Sequence, residues 1–337
     1  MPSLSRRSAL LALVLAASGP AFAATPSKVV VAYQTGPDPI DVAIADGSLA
    51  HAGGKDVEFR RFNSGAEIFA AIASGDVQIG YVGSSPFAAA ASRGLDIQAF
   101  YVSSISGTDE ALVVRNGAGI ATPADLKGKR LSAAPVSTDH YQLLATLKQN
   151  GIAEKDATVL ALPQPEIVAA WKRGDLDGAF VWDPALSELK KNGTVLLTSR
   201  QVAEQGAPTF NAWVVTGAFA KSDPAFVRTF ATAIARQNAS FLADKPAWGP
   251  DSANAKTIAK LLGGTPADQA AGLRDLNLLP ASAQASEAWL GGGERSGVAR
   301  ILKDTAAFLK EQHKITALRD SYAGFVTAGF VEPAPSN

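Results

Sequence analysis

The sequence contains two related segments, AEIFAAIASGDVQIGYVGSSP at 66–86 and PEIVAAWKRGDLDGAFVWDPA at 165–185. Each reads as an apolar helix, a Gly-Asp turn, a buried strand, and a second turn that ends in proline where a new helix begins. Because this unit occurs only twice, about 100 residues apart, it predicts two equivalent lobes rather than a long repeat array. Ligands of open α/β sheets bind at the carboxyl ends of the strands, so two such ends facing each other predict a cleft.

Strands and helices alternate on both sides of these segments, which is typical of an α/β domain with a mainly parallel sheet. The run KVVVAY at 28–33 predicts a buried strand, and the pattern restarts after Arg115. The predicted fold class is therefore α/β, with two lobes, each a sheet flanked by helices, and a ligand cleft between them. We assign 24–114 and 215–337, with its C-terminal helices, to a discontinuous lobe 1, and 115–214 to lobe 2.

The first 23 residues predict a secretory signal peptide. Arg6 and Arg7 precede an apolar run, and Ala21-Phe22-Ala23 forms a small-x-small cleavage site. The apolar run is too short to span a bilayer. The arginine pair fits a twin-arginine signal only in part, so that route and general secretion both stay open. Either route predicts a soluble periplasmic protein.

Composition limits the chemistry open to this chain of 337 residues. It contains no cysteine, which excludes disulfides and thiolate chemistry, and its three histidines show no metal-ligand spacing. We therefore expect no metal and no cofactor. Removing the signal peptide leaves a net charge of about −2, which does not favour binding to nucleic acid or to an anionic membrane.

Two helix starts are candidates for anion binding. Ser84 and Ser85 stand before Pro86 directly after a predicted strand, and Ser137 and Thr138 begin an amphipathic helix after another strand. Helix N-termini offer free N–H donors and a positive dipole end, which suit a compact anion. For both pairs the alternative is a plain helix cap without ligand contact. A serine hydrolase is disfavoured, because GSSP differs from G-x-S-x-G and no obvious catalytic base stands nearby.

Five further residues lie where a predicted element meets the cleft. Gln34 and Thr35 end the first strand, and Trp182 ends the strand GAFVW. Trp213 lies on a later strand, and Tyr141 lies in the helix that Ser137 or Thr138 begins. By position they could contact a ligand. The alternatives are a turn for the first pair and core packing for the aromatic residues.

Seven segments of the chain together resemble those of a known protein family. The segments are VAYQT, GDVQIG-VGSSP, EALVV, DLKGKR, ST-HY-LLA-LK--GI, AAW-RGD-DGA-VW-PA and GAPT---WVV, in this order along the chain. Together they resemble the periplasmic substrate-binding proteins of taurine ABC transporters and, more distantly, those for aliphatic sulfonates and nitrate. The resemblance implies a type II two-lobe periplasmic binding fold that closes on a small ligand by hinge motion. It also implies a monomer without catalysis, whose partners are an ABC permease and an ATPase.

The resemblance also assigns residues to the amine of taurine. Glu110 opens the strand EALVV and becomes the expected partner of the ammonium, with Asp109 as its rival and a solvated edge charge as the alternative. Asp183 and Asn211 depart from the family pattern, in which a small apolar residue and an acid are expected at these two positions. The departure predicts either a compensating swap for the same ligand or a pocket for a different amine or a longer sulfonate. For Asp183 a helix cap before Pro184 is the alternative.

The sequence leaves three functional hypotheses from different classes. The leading hypothesis is a binding protein that hands a small amino-sulfonate to an importer. The second is an enzyme on the same fold, which the lack of cysteine disfavours. The third is the sensor lobe of a membrane receptor, which the sequence alone does not separate from the first.

Overall fold

The computed structural model describes residues 28–331 and shows two β-sheets, each packed between hydrophobic clusters on its two faces. The predicted signal peptide lies outside these residues. Within residues 28–331, no helix combines the length and apolar character that a membrane crossing requires.

The first sheet has six strands in the order β11-β4-β10-β3-β1-β2. Its strands are β1 Lys28–Tyr33, β2 Asp56–Arg61, β3 Ile79–Gly83, β4 Ile97–Ile105, β10 Phe210–Thr216 and β11 Asn277–Leu278. Strand β1 shows why its sequence is an unbroken apolar run. Val29 and Val31 pack into the cluster on one face, and Val30 and Ala32 pack into the cluster on the other. A strand covered on both faces needs apolar residues at every position.

The second sheet has five strands in the order β7-β6-β8-β5-β9. They are β5 Glu110–Arg115, β6 Arg130–Ala133, β7 Thr158–Ala161, β8 Gly178–Trp182 and β9 Gly193–Thr198. The two segments with the repeated pattern supply β3 in the first sheet and β8 in the second. The repeat therefore corresponds to equivalent strands in the two lobes.

The predicted lobe boundaries at 114/115 and 214/215 are both wrong by about one strand. Strand β5 pairs with β8 and β9 in the second sheet, and β10 pairs with β3 and β4 in the first. The chain thus crosses between lobes at 106–109 and returns at 205–209. Each predicted boundary lies a few residues C-terminal to the observed crossing, because strand periodicity does not reveal which sheet a strand joins. We call 28–105 and 210–331 the first lobe, and 110–204 the second lobe.

The expectation of mainly parallel sheets is also wrong, because both sheets are mixed. β1 pairs in parallel with β2 and β3, and β6 pairs in parallel with β7 and β8. The strands that follow the two crossings, β5 and β10, pair antiparallel with their neighbours. A strand that enters from the other lobe does not arrive through a right-handed crossover helix, so it is not held to the parallel direction.

Helices cover both sheets. In the first lobe they are α1 Asp41–Ala45, α2 Gly65–Ala73, α3 Ser84–Ser92, α8 Gly217–Ser222, α9 Pro224–Ala243, α10 Ala253–Leu262, α11 Pro266–Asp275 and α12 Gly297–Glu311. In the second lobe they are α4 Thr138–Gln149, α5 Gln164–Arg173, α6 Ala185–Lys190 and α7 Ser199–Glu204. Apolar residues of α9 and α12 belong to the clusters on opposite faces of the first sheet. The C-terminal helices therefore complete the core of the first lobe.

The two crossing segments run side by side and are joined by hydrogen bonds. Ser106 donates its backbone N–H to the Thr209 carbonyl at 3.0 Å, and Thr209 donates its own N–H to the Ser106 hydroxyl at 2.8 Å. Two short paired segments are the form that hinges between closing domains commonly take. The lobes can therefore rotate about Ser106 and Thr209 without breaking either sheet.

Candidate ligand-binding site

A cavity of about 60 Å³ lies between the two lobes. A single water needs about 10–15 Å³, so this space suits a solute of several non-hydrogen atoms rather than a large ligand. Residues of both lobes and of the crossing segments line it, namely Gln34, Gly36, Pro37, Gly65, Tyr81, Gly83, Pro86, Asp109, Glu110, Ser137, Thr138, Trp182, Asp183, Asn211, Gly272 and Leu276. Seven of the twelve residues predicted to bind ligand are among them.

The lobes touch each other beside this cavity, so the structure shows the closed arrangement. Thr35 of the first lobe donates its hydroxyl to the Asp183 carbonyl at 3.3 Å and accepts from the Trp182 indole nitrogen at 3.2 Å. Thr35 itself does not line the cavity. Its predicted ligand contact is therefore corrected to a contact between lobes, because its hydroxyl is used by the second lobe.

Three carboxylates line the cavity from the side of the second lobe and the crossing segment. Glu110 accepts a hydrogen bond from the Thr138 hydroxyl at 2.9 Å, while its other carboxylate oxygen is buried without a partner. One oxygen of Asp109 is also buried without a partner. Burial raises the pKa of Glu110, and it raises the pKa of Asp109 still more, with the Glu110 charge adding to the effect. Two unpartnered carboxylate oxygens in one cavity favour a cationic group there.

Asp183 is the third carboxylate, and it has two roles in the structure. It lines the cavity, and it accepts a hydrogen bond from the Ser187 N–H at 2.9 Å in the first turn of α6. Burial raises the pKa of Asp183, although the bond from Ser187 acts in the opposite direction. Asp183 therefore satisfies an N–H group in the first turn of α6, although the N-cap itself is Pro184, and it lines the cavity as well.

A fourth acid, Asp139, lies behind the cavity in the first turn of α4. It is fully buried, and neither of its carboxylate oxygens has a hydrogen-bond partner. Burial raises its pKa well above the usual range, and the charges of Glu110 and Asp109 raise it further. Acids this close in a buried region do not all ionise together. A ligand that carries positive charge would relieve this repulsion.

Three helix N-termini also reach the cavity. They belong to α2 at Gly65, α3 at Gly83 and Pro86, and α4 at Ser137 and Thr138. The first N–H groups of a helix have no partner within it and carry the positive end of the dipole. Ser137 caps α4 by accepting from the His140 N–H at 3.0 Å, whereas α3 has no side-chain cap. The N-terminus of α3 is therefore the best placed to bind an anion.

The structure places the hydroxyls of Ser84 and Ser85 away from the cavity. The N-cap of α3 is Gly83, and both serines are fully buried inside the first turn of the helix without lining the cavity. Ser84 accepts from the Phe210 N–H at 3.4 Å, and Ser85 donates to the Val136 carbonyl at 3.0 Å. Their side chains hold neighbouring segments, so only the backbone of this turn remains for a ligand.

Two further predicted residues belong to hydrophobic cores instead of the cavity. Trp213 is fully buried, with its ring centroid 5.1 Å from those of Tyr81 and Phe230. Tyr141 packs edge-on against Phe308 at 5.1 Å. Both follow the core alternative. Trp213 lies in the cluster on one face of the first sheet, and Tyr141, on α4, lies in the cluster of the second lobe against which Phe308 of α12 packs. Trp182 differs, since it lies at the end of β8 and lines the cavity.

Gln34 and Asn211 line the cavity as predicted, and both side chains are held in place. Gln34 donates its amide to the Tyr81 carbonyl at 2.9 Å, and Asn211 donates to the Ser104 hydroxyl at 3.3 Å. Each amide oxygen can still accept a hydrogen bond from a ligand. Asn211 and Asp183 reach the same cavity, which places both departures from the family pattern in one site.

Sequence reasoning missed several lining residues, above all the glycines. A Cβ on Gly83 would lie 2.8 Å from the Thr138 methyl, and one on Gly272 would lie 2.6 Å from Pro37. These contacts join segments far apart in sequence, so no local pattern marks them. Tyr81 was missed because its strand reads only as buried core. For Gly65, the signal was the predicted helix start, since every helix start at a cleft offers N–H groups.

We expect Gly83→Ala to weaken ligand binding at least tenfold while the unfolding temperature changes little. The backbone of Gly83 has φ −78° and ψ 159°, which alanine adopts freely, so the added methyl acts mainly through its contact with Thr138 across the lobes. Titration calorimetry and thermal unfolding measure the two effects. Gly324→Ala is the matched control, because nothing lies within 4 Å of its added Cβ. Equal affinities in both variants would contradict the close approach at Gly83.

Two α/β lobes that enclose a small cavity and are joined by paired crossing segments define the class of two-lobed proteins that close on a ligand. The chain belongs to the NMT1/THI5-like family, whose pattern matches residues 40–247. It is 42% identical over 330 residues to the taurine-binding periplasmic protein of Escherichia coli (strain K12), which covers 98% of this chain and 100% of that protein. The family and the fold class predicted from sequence are confirmed.

Solved structures support the fold. The alkanesulfonate-binding protein SsuA from Xanthomonas axonopodis pv. citri, bound to MOPS, aligns with a TM-score of 0.70 at 21% identity, over 93% of this chain and 100% of its own. The periplasmic aliphatic sulphonate binding protein SsuA from Escherichia coli aligns with the same score and identity, over 88% and 96% of the two chains. These relatives are named as binding proteins and not as enzymes.

Proposed function

We propose that the chain is a periplasmic solute-binding protein that captures taurine, or a closely related small amino-sulfonate, and delivers it to an ABC importer. Its partners would be the permease and the ATPase of that importer, and it would act as a monomer without catalysis. The name of its relative at 42% identity supports the ligand class and the compartment. The predicted signal peptide supports export.

The observation that carries this proposal is the division of charge preference between the lobes. The N-termini of α2 and α3 line the cavity from the first lobe, and the carboxylates of Asp109, Glu110 and Asp183 line it from the crossing segment and the second lobe. None of the lining residues, all within the described part of the chain, is lysine, arginine or histidine. A zwitterion with an ammonium at one end and a sulfonate at the other fits both charge preferences.

This division also explains why both ends of the ligand matter for closure. The N-termini of α2 and α3 belong to the first lobe, and Glu110 and Asp183 belong to the second. A ligand with both charges pairs its anion with the first lobe and its ammonium with the second, whereas a ligand with one charge lacks one of these two contacts. Closing the lobes removes water, which strengthens each charge-assisted hydrogen bond inside. The ligand thus shifts the equilibrium toward the closed state by the binding free energy of the contacts that it makes only when both lobes surround it.

The positions of Asp183 and Asn211 support a compensating swap. Both line the cavity, so a carboxylate moved from one position to the other stays beside the same ligand. The number of negative charges around the ammonium is then unchanged. This placement supports the same ligand class as in the family, with taurine as the first candidate.

We expect taurine to bind the mature protein at least about a hundredfold more tightly than ethanesulfonate, which lacks only the amine. Without the ammonium, the carboxylate side of the cavity would be closed off from water without a partner. Titration calorimetry should compare taurine with ethanesulfonate, which lacks the amine, with ethylenediamine, which lacks the sulfonate, and with nitrate, a small anion that has neither group. Equal affinity for taurine and ethanesulfonate would contradict the ammonium site.

A further inference from the structure

Val136 has a backbone conformation that its residue type rarely adopts. Its φ is +59°, in the left-handed region, and it is one of two non-glycine residues with positive φ among residues 28–331. It is the third residue of the turn Ala134-Pro135-Val136-Ser137, which the Ser137 N–H closes by donating to the Ala134 carbonyl at 3.2 Å. Turns with positive φ at this position favour glycine, and a β-branched residue is strained there.

Contacts from the first lobe and from α4 hold Val136 in this conformation. Its carbonyl accepts the Ser85 hydroxyl at 3.0 Å, and Ser85 belongs to the first lobe. Its N–H donates to His140 Nδ1 at 3.1 Å. Burial lowers the pKa of His140 to about 4, so this ring is neutral and can accept at neutral pH. Backbone strain persists where the surrounding structure fixes it in this way.

The side chain of Val136 also crosses between the lobes. Val136 belongs to the second lobe, yet its side chain packs against the hydrophobic cluster of the first lobe that contains Phe87 and Ala88. The packing and the Ser85 bond therefore both depend on closure. The next two residues, Ser137 and Thr138, line the cavity.

We propose that Val136 is a positioning residue that couples ligand binding to lobe closure through its contacts with the first lobe. On closure, the Ser85 hydroxyl and the apolar cluster hold the turn strained and so place Ser137 and Thr138 against the ligand. On opening, these contacts are lost and the turn can relax. The strain weakens the closed state and so favours release of the ligand. The inference rests on the proposed function, because it assumes that ligand binding closes the lobes.

The test compares Val136→Ala, Val136→Gly and Ser85→Ala in the mature protein by titration calorimetry with taurine. Alanine keeps the strained φ and loses the packing, so we expect about tenfold weaker binding. Glycine loses the same packing but adopts φ +59° freely, so it should bind more tightly than the alanine variant by about threefold or more. Ser85→Ala removes the hydrogen bond to the Val136 carbonyl and should also weaken binding. Its effect should be coupled to that of Val136→Ala rather than additive, because this bond and the Val136 packing hold the same turn against the first lobe.

Val168 supplies the matched control. It is a partly buried valine of α5 that packs on the core of the second lobe, away from the first lobe. Val168→Ala and Val168→Gly should leave taurine affinity unchanged. Val168→Gly should have a lower free energy of unfolding than Val168→Ala, because glycine is the poorer helix former. At Val136, by contrast, the glycine variant is the one that we expect to bind taurine more tightly. Alanine binding better than glycine at Val136, or unchanged affinity in Val136→Ala, would overturn the inference.

A second measurement separates failure of this inference from failure of the proposed function. The chain has no native cysteine, so spin labels at Ala70→Cys in the first lobe and Ala169→Cys in the second report one distance between lobes. If the wild-type protein does not bind taurine, the proposed function fails. The role of Val136 in lobe closure is then tested by the distance between the labels alone. Val136→Ala should then populate the open distance more than the wild type, and Val136→Gly less than Val136→Ala. The same distribution in all three proteins would overturn the inference.

Discussion

Glu110→Gln should weaken taurine binding by on the order of a hundredfold or more. The carboxylate lines the cavity, is only 6% exposed, and has one oxygen without a partner, so in the complex it is the group best placed to pair with the ammonium. Removing one member of a buried charge pair costs about 2–5 kcal/mol of binding free energy. The amide keeps the size of the side chain and can still accept from Thr138. Titration calorimetry measures the loss directly.

Two comparisons make this result specific. Glu166→Gln makes the same change at an exposed position of the second lobe and should bind taurine like the wild type. Ethanesulfonate binding should be the same in Glu110→Gln as in the wild type, or better, because the buried carboxylate no longer needs a partner. The unliganded variant should also be at least as stable as the wild type, since a buried acid with a raised pKa has been removed. Unchanged taurine affinity would contradict the assigned role of Glu110.

Trp213→Ala should lower the free energy of unfolding by about 3–5 kcal/mol, because a large buried ring would be replaced by a cavity. The ring contacts Tyr81 and Phe230 on one face of the first sheet and does not reach the ligand cavity. Denaturant unfolding monitored by circular dichroism measures this loss. Trp213→Phe keeps most of the packing and should cost far less, so the prediction can be tested even if the alanine variant does not fold.

Trp182, the last residue of β8 in the other sheet, provides the opposite case. Trp182→Ala should weaken taurine binding several-fold to tenfold, with a smaller loss of stability, because the side chain lines the cavity and contacts Thr35 across the lobes. In Trp213→Phe taurine affinity should stay within about twofold of the wild type. A large loss of affinity in Trp213→Phe, with stability preserved, would show that this residue contacts the ligand after all.

The fold could be predicted well from sequence because its signals are local. The repeated segments at 66–86 and 165–185 contain a helix, a turn, a strand and a helix start, and each of these depends on neighbouring residues alone. The assignment of β5 and β10 to their sheets could not be predicted in this way. It depends on which strand lies alongside, and pairing partners such as Glu110 and Trp182 are far apart in the chain.

The same contrast between local signals and long-range contacts separates the site residues that could be predicted from those that could not. Gln34, Ser137 and Trp182 lie at strand or helix ends, and that position predicted their place at the cleft, whereas Glu110 was assigned through the family resemblance. The hydroxyls of Ser84 and Ser85 could not be assigned, because a cap motif does not show which tertiary contacts will use the side chains. Trp213 and Tyr141 show that an aromatic residue near a cleft can equally well face a core. The close approach of Gly83 to Thr138 exists only between lobes and has no local signal.

The orientation of the ligand tests the central claim most directly, and a crystal structure of the taurine complex measures it. The ammonium nitrogen should lie within about 3 Å of a Glu110 carboxylate oxygen. The sulfonate oxygens should accept from backbone N–H groups at the start of α3. Taurine bound in the reverse orientation, with its sulfonate against Glu110 and Asp183, or bound outside this cavity, would contradict the account.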